Sequence, residues 1–307
     1  SSDLVKKVVA KASVSRVYEY EKTLFDFDSK YVSQPGNNKA IDYLQKTYAS
    51  FGYQPEVQWF SPAQAQGGKT GNVVNIKRGT EDPDLIYVVS SHYDSVVIGP
   101  GADDDTSGTA ALLETARLLS DVPLPATVVF ASFTGEEAGL LGSRYNADFP
   151  VVPLEKVQAV LNMDMVGRDD CDNLEGDFSN SVFLVGDDRI STDLHNVIVQ
   201  TNQGMAKPLT LDYEMNDPAD PEGVYTRSDH YSYAAKGIPV AFFTTGLHPD
   251  YHRVSDSVEK ILFPKMARIG QLMYESGFAI AATDRVLERD NKGPRVGFGT
   301  KAEVIKK

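Results

Sequence analysis

Leu85-Ile86-Tyr87-Val88-Val89-Ser90-Ser91-His92-Tyr93-Asp94 reads as a buried strand that ends in two side chains suited to a metal. A short, continuous apolar run with polar ends suits a strand covered on both faces, which is the parallel-sheet pattern. The arrangement recurs downstream. Glu136 and Glu137 follow Ala126 to Thr134, Asp164 ends Val157 to Met165, and His252 lies beyond Ile238 to Thr245. The acidic cluster Asp103-Asp104-Asp105 sits in Gly-Ala-Asp-Asp-Asp-Thr-Ser-Gly. Strand ends on one edge of an open α/β sheet are where ligands and catalytic groups collect. Two His and several carboxylates converging there make a two-metal hydrolase inventory, and imidazole with carboxylate suits zinc.

Outward from this stretch, the chain alternates strands and helices. The first 50 or so residues read as helical: Ile41, Leu44, Tyr48 and Phe51 keep helical spacing, and Gly52 supplies a stop. Strands are predicted at Glu56 to Phe60, Val73 to Lys77 and Leu85 to Ser91. A helix through Ala110, Leu113, Ala116 and Leu119 follows, capped by Asp105 or Thr106. Further strands are predicted at Thr127 to Phe133, Ala159 to Met165, Val182 to Val185 and Pro239 to Thr244. Between and after them come helices at Ala138 to about Ala147, Ser191 to Thr201 and Val258 to Ala282. The expected fold class is α/β, a mostly parallel central sheet with helices on both faces.

Two stretches break the alternation. Asp169 to Phe178 is acidic but fails the EF-hand pattern, because Leu174 falls at a ligand position, so it reads as a solvated loop. Lys207 to Gly223, rich in Asp, Glu and Pro, precedes the site-proximal segment Tyr225 to His230 and reads either as a plain mobile loop or as a functional one, as long loops near sites often are. The expected organisation is one domain over residues 1–284, followed by a charged tail over 285–307.

Composition narrows the partners. The net charge is −13, which disfavours nucleic acid and anionic lipid, and no apolar stretch is long enough for a membrane span. The bland reading of that charge is solubility; the functional one is an acidic cleft that attracts a cation such as an α-ammonium. The chain begins at Ser1 without an apolar leader, as a processed form or a trimmed piece does. Cys171, the single cysteine, rules out an intramolecular disulfide and has no matched His for a thiol nucleophile.

Each site residue also has an ordinary reading. His92 with Asp94 could be a surface pair, yet both follow a buried-type strand, and an Asp can orient a ligating imidazole. One of Asp103, Asp104 and Asp105 can cap a helix, but three adjacent carboxylates exceed that need. Glu136-Glu137 could open a solvated helix. Asp164 lies in Val160-Leu161-Asn162-Met163-Asp164-Met165-Val166, where an unpaired carboxylate is costly to bury. His195 reads as structural or exposed, and His230 and His248 as supporting groups. Gly-x-Ser-x-Gly, phosphate-loop, dinucleotide and His-Glu-x-x-His motifs are absent.

Six segments in order resemble the co-catalytic zinc aminopeptidases of clan MH, the bacterial leucyl aminopeptidase type. They are Ser-His-Tyr-Asp-Ser (91–95), Gly-Ala-Asp-Asp-Asp-Thr-Ser-Gly (101–108) and Thr-Gly-Glu-Glu-Ala-Gly-Leu-Leu-Gly-Ser (134–143). Asn-Met-Asp-Met-Val-Gly (162–167), Arg-Ser-Asp-His (227–230) and Tyr-His-Arg-Val-Ser-Asp (251–256) complete the set. The resemblance implies a zinc exopeptidase-like fold, two zinc ions, and peptide substrates with a free N-terminus. It makes Asp104 the bridging carboxylate, His92 and Asp164 ligands of one metal, and Glu137 and His252 ligands of the other. It also makes Asp94 the group that orients His92, Glu136 the general base, Tyr251 the group that polarises the substrate carbonyl, and Arg227 a substrate-binding residue. A secreted or periplasmic location goes with it. Relatives in the same clan keep other readings open. These are a carboxypeptidase, for which Arg227 or Arg253 would serve, a one-zinc glutaminyl cyclase, and a non-catalytic binding domain.

Overall fold

The computed structural model describes residues 2–169, 178–282 and 286–291. Helices α1 (Ser2–Val9), α2 (Val14–Phe25) and α3 (Pro35–Ser50) come first, as the spacing of Ile41, Leu44 and Tyr48 predicts. The Ser13 hydroxyl accepts the Arg16 N–H and caps α2. Pro35 opens α3, where a missing N–H costs nothing.

Among the described residues eight strands follow: β1 (Glu56–Phe60), β2 (Thr70–Lys77), β3 (Asp82–His92), β4 (Ala126–Phe133), β5 (Val157–Met163), β6 (Ser181–Val185), β7 (Thr210–Asp212) and β8 (Val240–Thr244). They form one sheet in the order β1-β2-β4-β3-β5-β8-β6-β7. The centre is parallel, β4 to β3 to β5 to β8, and so is β6 to β7. The β1–β2, β2–β4 and β8–β6 pairs are antiparallel. The mostly parallel sheet is therefore present, with antiparallel margins.

The remaining helices are α4 (Gly108–Leu119), α5 (Leu141–Asp148), α6 (Thr192–Gly204), α7 (His230–Ala234) and α8 (Phe263–Ala281). Side chains alternate across the sheet. Tyr87 and Val89 pack in the large core with Leu112 and Leu113 of α4 and Ile269 and Met273 of α8. Ile86 and Val88 pack on the other face with Ala147 and Tyr233. Both faces of β3 are thus buried, which is why its sequence is a continuous apolar run.

Some boundaries differ from the sequence reading, each for a visible reason. Strand β5 stops at Met163, because Met165 takes φ 59 and gives its N–H to Asp105 Oδ1 instead of a neighbouring strand. Helix α5 starts at Leu141, since the Glu136 carbonyl accepts the N–H groups of both Gly139 (φ 104) and Leu140 in a tight turn. Helix α8 starts at Phe263, behind the short turn Val258–Lys260, because the Leu262 N–H is taken by the Gly167 carbonyl. The 207–223 stretch, read as a loop, instead holds β7 and the turn Glu214–Asn216, and it buries Leu211, Tyr213 and Met215.

Within the 285–307 tail, Leu287 is buried, its N–H donates to Gln158 Oε1, and Asn291 N donates to the Ile190 carbonyl. Residues 170–177, with Cys171 and most of the predicted acidic loop, lie outside the described residues.

Candidate metal centre

The parallel pairing of β4, β3, β5 and β8 sends their C-terminal ends to one edge. His92 is the last residue of β3 and pairs with Phe133 at the end of β4. Thr134 to Glu137 leave that end, and Asp164 follows the end of β5, where Met163 pairs with Phe243 of β8. Asp104 enters from the loop before α4. Its support is Asp105, which accepts N–H bonds from His92, Gly108 and Met165 and so joins β3, α4 and the β5 exit. Gly108 permits this approach: a Cβ there would lie 2.4 Å from Asp105 Oδ1 and 2.7 Å from the Met163 carbonyl oxygen.

The structure brings all five predicted ligand residues together. His92 Nε2 lies 3.3 Å from Asp104 Oδ1 and 3.5 Å from Asp164 Oδ2. His252 Nε2 lies 3.1 Å from Asp104 Oδ2 and 3.0 Å from Glu137 Oε2. Asp104 therefore turns one oxygen to each imidazole. The two donor groups, His92–Asp104–Asp164 and Asp104–Glu137–His252, are each compact enough to hold a metal ion, and they share Asp104. His92 Nε2 and Glu137 Oε1 are buried and make no hydrogen bond within the described residues, which leaves lone pairs for a cation.

The remaining predicted residues frame these two groups. Asp94 Oδ1 lies 3.4 Å from His92 Nδ1, while its two oxygens accept the Glu136 and Glu137 N–H groups. Glu136 Oε2 stands 3.9 Å from His92 Nε2, outside both donor groups. The Tyr251 ring stacks on His252 at 3.8 Å between centroids. Its hydroxyl accepts a bond from Arg227 Nη2 at 3.2 Å, and Arg227 Nη1 donates to Glu222 at 2.9 Å. Met215, Val224, Phe242 and Leu247 make an apolar wall beside Asp104, Asp164 and Tyr251. Met215 comes from the supposed loop.

Burial and like charge make this cluster electrostatically tense. Burial pushes the Glu136 carboxyl well above the usual carboxylate range, His92 works against that, and Asp164 and Glu137 add to it. Burial and then the Asp104 charge raise Glu137 to about 8. Burial alone would raise Asp104 as well, but the neighbouring His252 and His92 imidazoles hold it below its ordinary value. Burial disfavours a charged His252, yet its bonds to Asp104 and Glu137 lift it to about 10. Several carboxylates this close cannot all ionise without added positive charge, and a bound cation relieves them most effectively.

Sequence reasoning missed some supports. Ser228 donates to Asp164 Oδ2 at 2.5 Å, and Asn162 Nδ2 donates to Ser228 Oγ at 3.0 Å. Asp229, fully buried, is raised to about 7 by burial despite the opposing His92 charge. The neighbouring polar triplet in Arg227-Ser228-Asp229-His230 was the only signal for either. His195 is buried and bonds Asp187 at 2.7 Å, which makes it structural and not exposed. His230 gives its Nε2–H to the Tyr225 carbonyl and stacks on Phe242. His248 Nε2 faces Asp103 Oδ2 at 3.2 Å.

A family model for peptidase family M28 matches residues 72–276, more than half of the chain. The chain belongs to peptidase family M28. It is 30% identical over 211 residues to aminopeptidase YwaD of Bacillus subtilis, a match that covers 66% of this chain and 43% of that protein. An aminopeptidase from Aneurinibacillus sp. strain AM-1 superposes with a TM-score of 0.75, covering 96% of this chain and all of that one, at 18% identity. A zinc aminopeptidase from Bacillus subtilis, BSAP, superposes with a TM-score of 0.57 at 26% identity, over 74% of this chain and 55% of that one. The chain thus has the zinc exopeptidase fold, and its matches span less than half the length of curated relatives such as aminopeptidase YwaD.

Proposed function

We propose that this chain is a metal-dependent aminopeptidase that holds two zinc ions and hydrolyses the N-terminal bond of peptides. One observation carries the reading: Asp104 presents Oδ1 to His92 and Oδ2 to His252, with Asp164 and Glu137 completing two donor groups. Imidazole and carboxylate donors fit zinc, and the orphaned His92 Nε2 and Glu137 Oε1 atoms fit added ligation. The names of the relatives, aminopeptidase and zinc aminopeptidase, support the same assignment.

When bound, the two ions supply the Lewis acidity that makes water a nucleophile near neutral pH and that braces charge on the reacting carbonyl. The protein supplies the rest. Glu136, outside both donor groups, takes the proton of the attacking water and passes it to the leaving amine. The Tyr251 hydroxyl donates to the developing oxyanion, with Arg227 holding it at the rim of the cleft. Glu136, Asp164 and their acidic surroundings attract a substrate α-ammonium, because a buried cation is favourable only when paired. Met215, Val224 and Phe242 give the same cleft an apolar wall.

The domain reading belongs to this proposal: residues 1–284 as the catalytic domain and 285–307 as a tail whose start docks through Leu287. A secreted or periplasmic location is part of it too, tested by fractionating producing cells. Among the described residues no helix is long and apolar enough to cross a membrane.

A peptide panel with free and blocked termini tests the activity. An N-acetylated peptide should be cleaved far more slowly than its free-amine counterpart, while C-terminal amidation should matter little. Equal rates on acetylated and free peptides, or a strict need for a free C-terminal carboxylate, would overturn the aminopeptidase reading.

A further inference from the structure

His252, like Asp104, does not stand at or directly behind a strand end. It lies in the segment between β8 and α8, with φ 57 and 41% of its side chain exposed. Nothing in its own stretch of chain explains why its ring meets Asp104 and Glu137. The explanation lies on either side of it, in two buried residues that both reach the Asp103–Asp104 segment.

Asp256, four residues after His252, accepts three backbone hydrogen bonds. Asp103 N donates to both of its carboxylate oxygens at 3.0 Å, and Asp104 N donates to Oδ2 at 3.1 Å. The Asp256 carbonyl also accepts the Ala102 N–H at 3.4 Å. Four residues before His252, His248 turns its Nε2 to Asp103 Oδ2 at 3.2 Å, while its Nδ1 accepts the Asp250 N–H. That bond assigns the proton to Nε2, which stands beside the Asp103 carboxylate at contact distance without a formed hydrogen bond. Both groups are buried, and Asp103 Oδ1 is itself fixed by the Gly167 N–H. The segment that delivers His252 is therefore tied to the chain immediately before and at Asp104 by hydrogen bonds at Asp256 and by a close polar contact at His248.

We propose that Asp256 and His248 are positioning residues that clamp the His252 segment to the Asp103–Asp104 segment and so preform the donor group Asp104–Glu137–His252. They touch neither substrate nor metal; they act by fixing the separation of two ligands carried on different loops. The inference rests on the two-zinc reading above. Outer groups of this kind typically contribute about 10–100-fold to metal affinity.

The test is chelator-competition titration of zinc into zinc-depleted full-length protein, reading the two successive dissociation constants, with thermal unfolding of each preparation in parallel. Asp256→Ala should weaken the second zinc by about 10–100-fold and the first by less, because Asp104 serves both groups while His92, Asp164 and their strand ends are untouched. Asp256→Asn, which keeps one acceptor oxygen, should fall between, and it stands in for the alanine variant if that fails to fold. His248→Ala should show the same selective loss, and His248→Gln, which can place an N–H beside Asp103, should recover most of it. A folded variant with wild-type constants at both sites overturns the clamp, and so does equal weakening of both. A wild-type protein that takes up fewer than two zinc ions refutes the two-zinc reading instead.

Discussion

The two halves of the proposed metal centre share Asp104 but are built differently. The inner half is made by the sheet: His92 ends β3, Asp164 leaves β5, and His92 is 1% exposed. The outer half is made by loops: Glu137 sits in the turn before α5, and His252 stands 41% exposed in a long connection. The strand register places the inner ligands, since a parallel ladder fixes where neighbouring strands end. Hydrogen bonds between loops place the outer ones. Part of one metal centre is thus inherited from secondary structure, and part depends on tertiary contacts.

The largest expected effect concerns the adjacent glutamates that the two halves divide between them. Glu136→Gln should retain two zinc ions yet slow turnover by roughly 10²–10⁴-fold, the usual contribution of general acid–base catalysis. Glu137→Gln should lose one zinc. Metal analysis beside steady-state kinetics checks both, and loss of metal from the Glu136 variant would mean the two residues have exchanged roles.

Next in size is Tyr251, which stacks on the outer His252 and faces the cleft. Tyr251→Phe should reduce kcat by about 10²–10³-fold, as removal of one oxyanion donor does. A change confined to KM would make Tyr251 a wall residue and leave the oxyanion to the metals alone.

The smallest effect separates the halves by stability. His252→Ala should destabilise zinc-depleted protein by less than His92→Ala, because solvent reaches the 41% exposed His252 side chain and screens its pairing with Asp104 and Glu137. His92→Ala should cost about 1–3 kcal/mol even without zinc, because buried Asp104 and Asp164 lose their partner. Adding zinc at about 100 times its Kd should stabilise by about 2.7 kcal/mol per occupied site, and His252→Ala should forfeit the outer increment. Calorimetry with and without zinc reads all three quantities. Equal melting temperatures for the two zinc-depleted variants would erase the distinction between sheet-built and loop-built halves.

The legible and illegible parts of the site follow the same division. His92, Glu136, Glu137 and Asp164 follow apolar runs, so a reader who finds the strands finds these residues. The 207–223 stretch was read as a loop because its Asp, Glu and Pro content hides Leu211, Tyr213 and Met215, which only packing reveals as buried. Ser228 gave no signal of its role beyond polarity and its place in the Arg-Ser-Asp-His segment, since its bond to Asp164 spans 64 residues of sequence. The start of α8 was placed at Val258 because helical spacing continues through the turn, and the long-range Leu262–Gly167 bond that ends the turn cannot be seen locally.

By itself, then, the sequence determined the alternation of strands and helices, the parallel centre of the sheet, and the five ligand-type residues in order. Hydrophobic period and local side-chain chemistry are properties of short segments, and they survive without a fold. The tertiary structure alone decided that Asp104 turns one oxygen to each histidine, that Glu136 stays outside both donor groups, and that His252 is held in place from Asp256 and His248. Those facts are distances between residues up to about 150 positions apart along the chain, and only packing and hydrogen bonds formed across the whole molecule can set them.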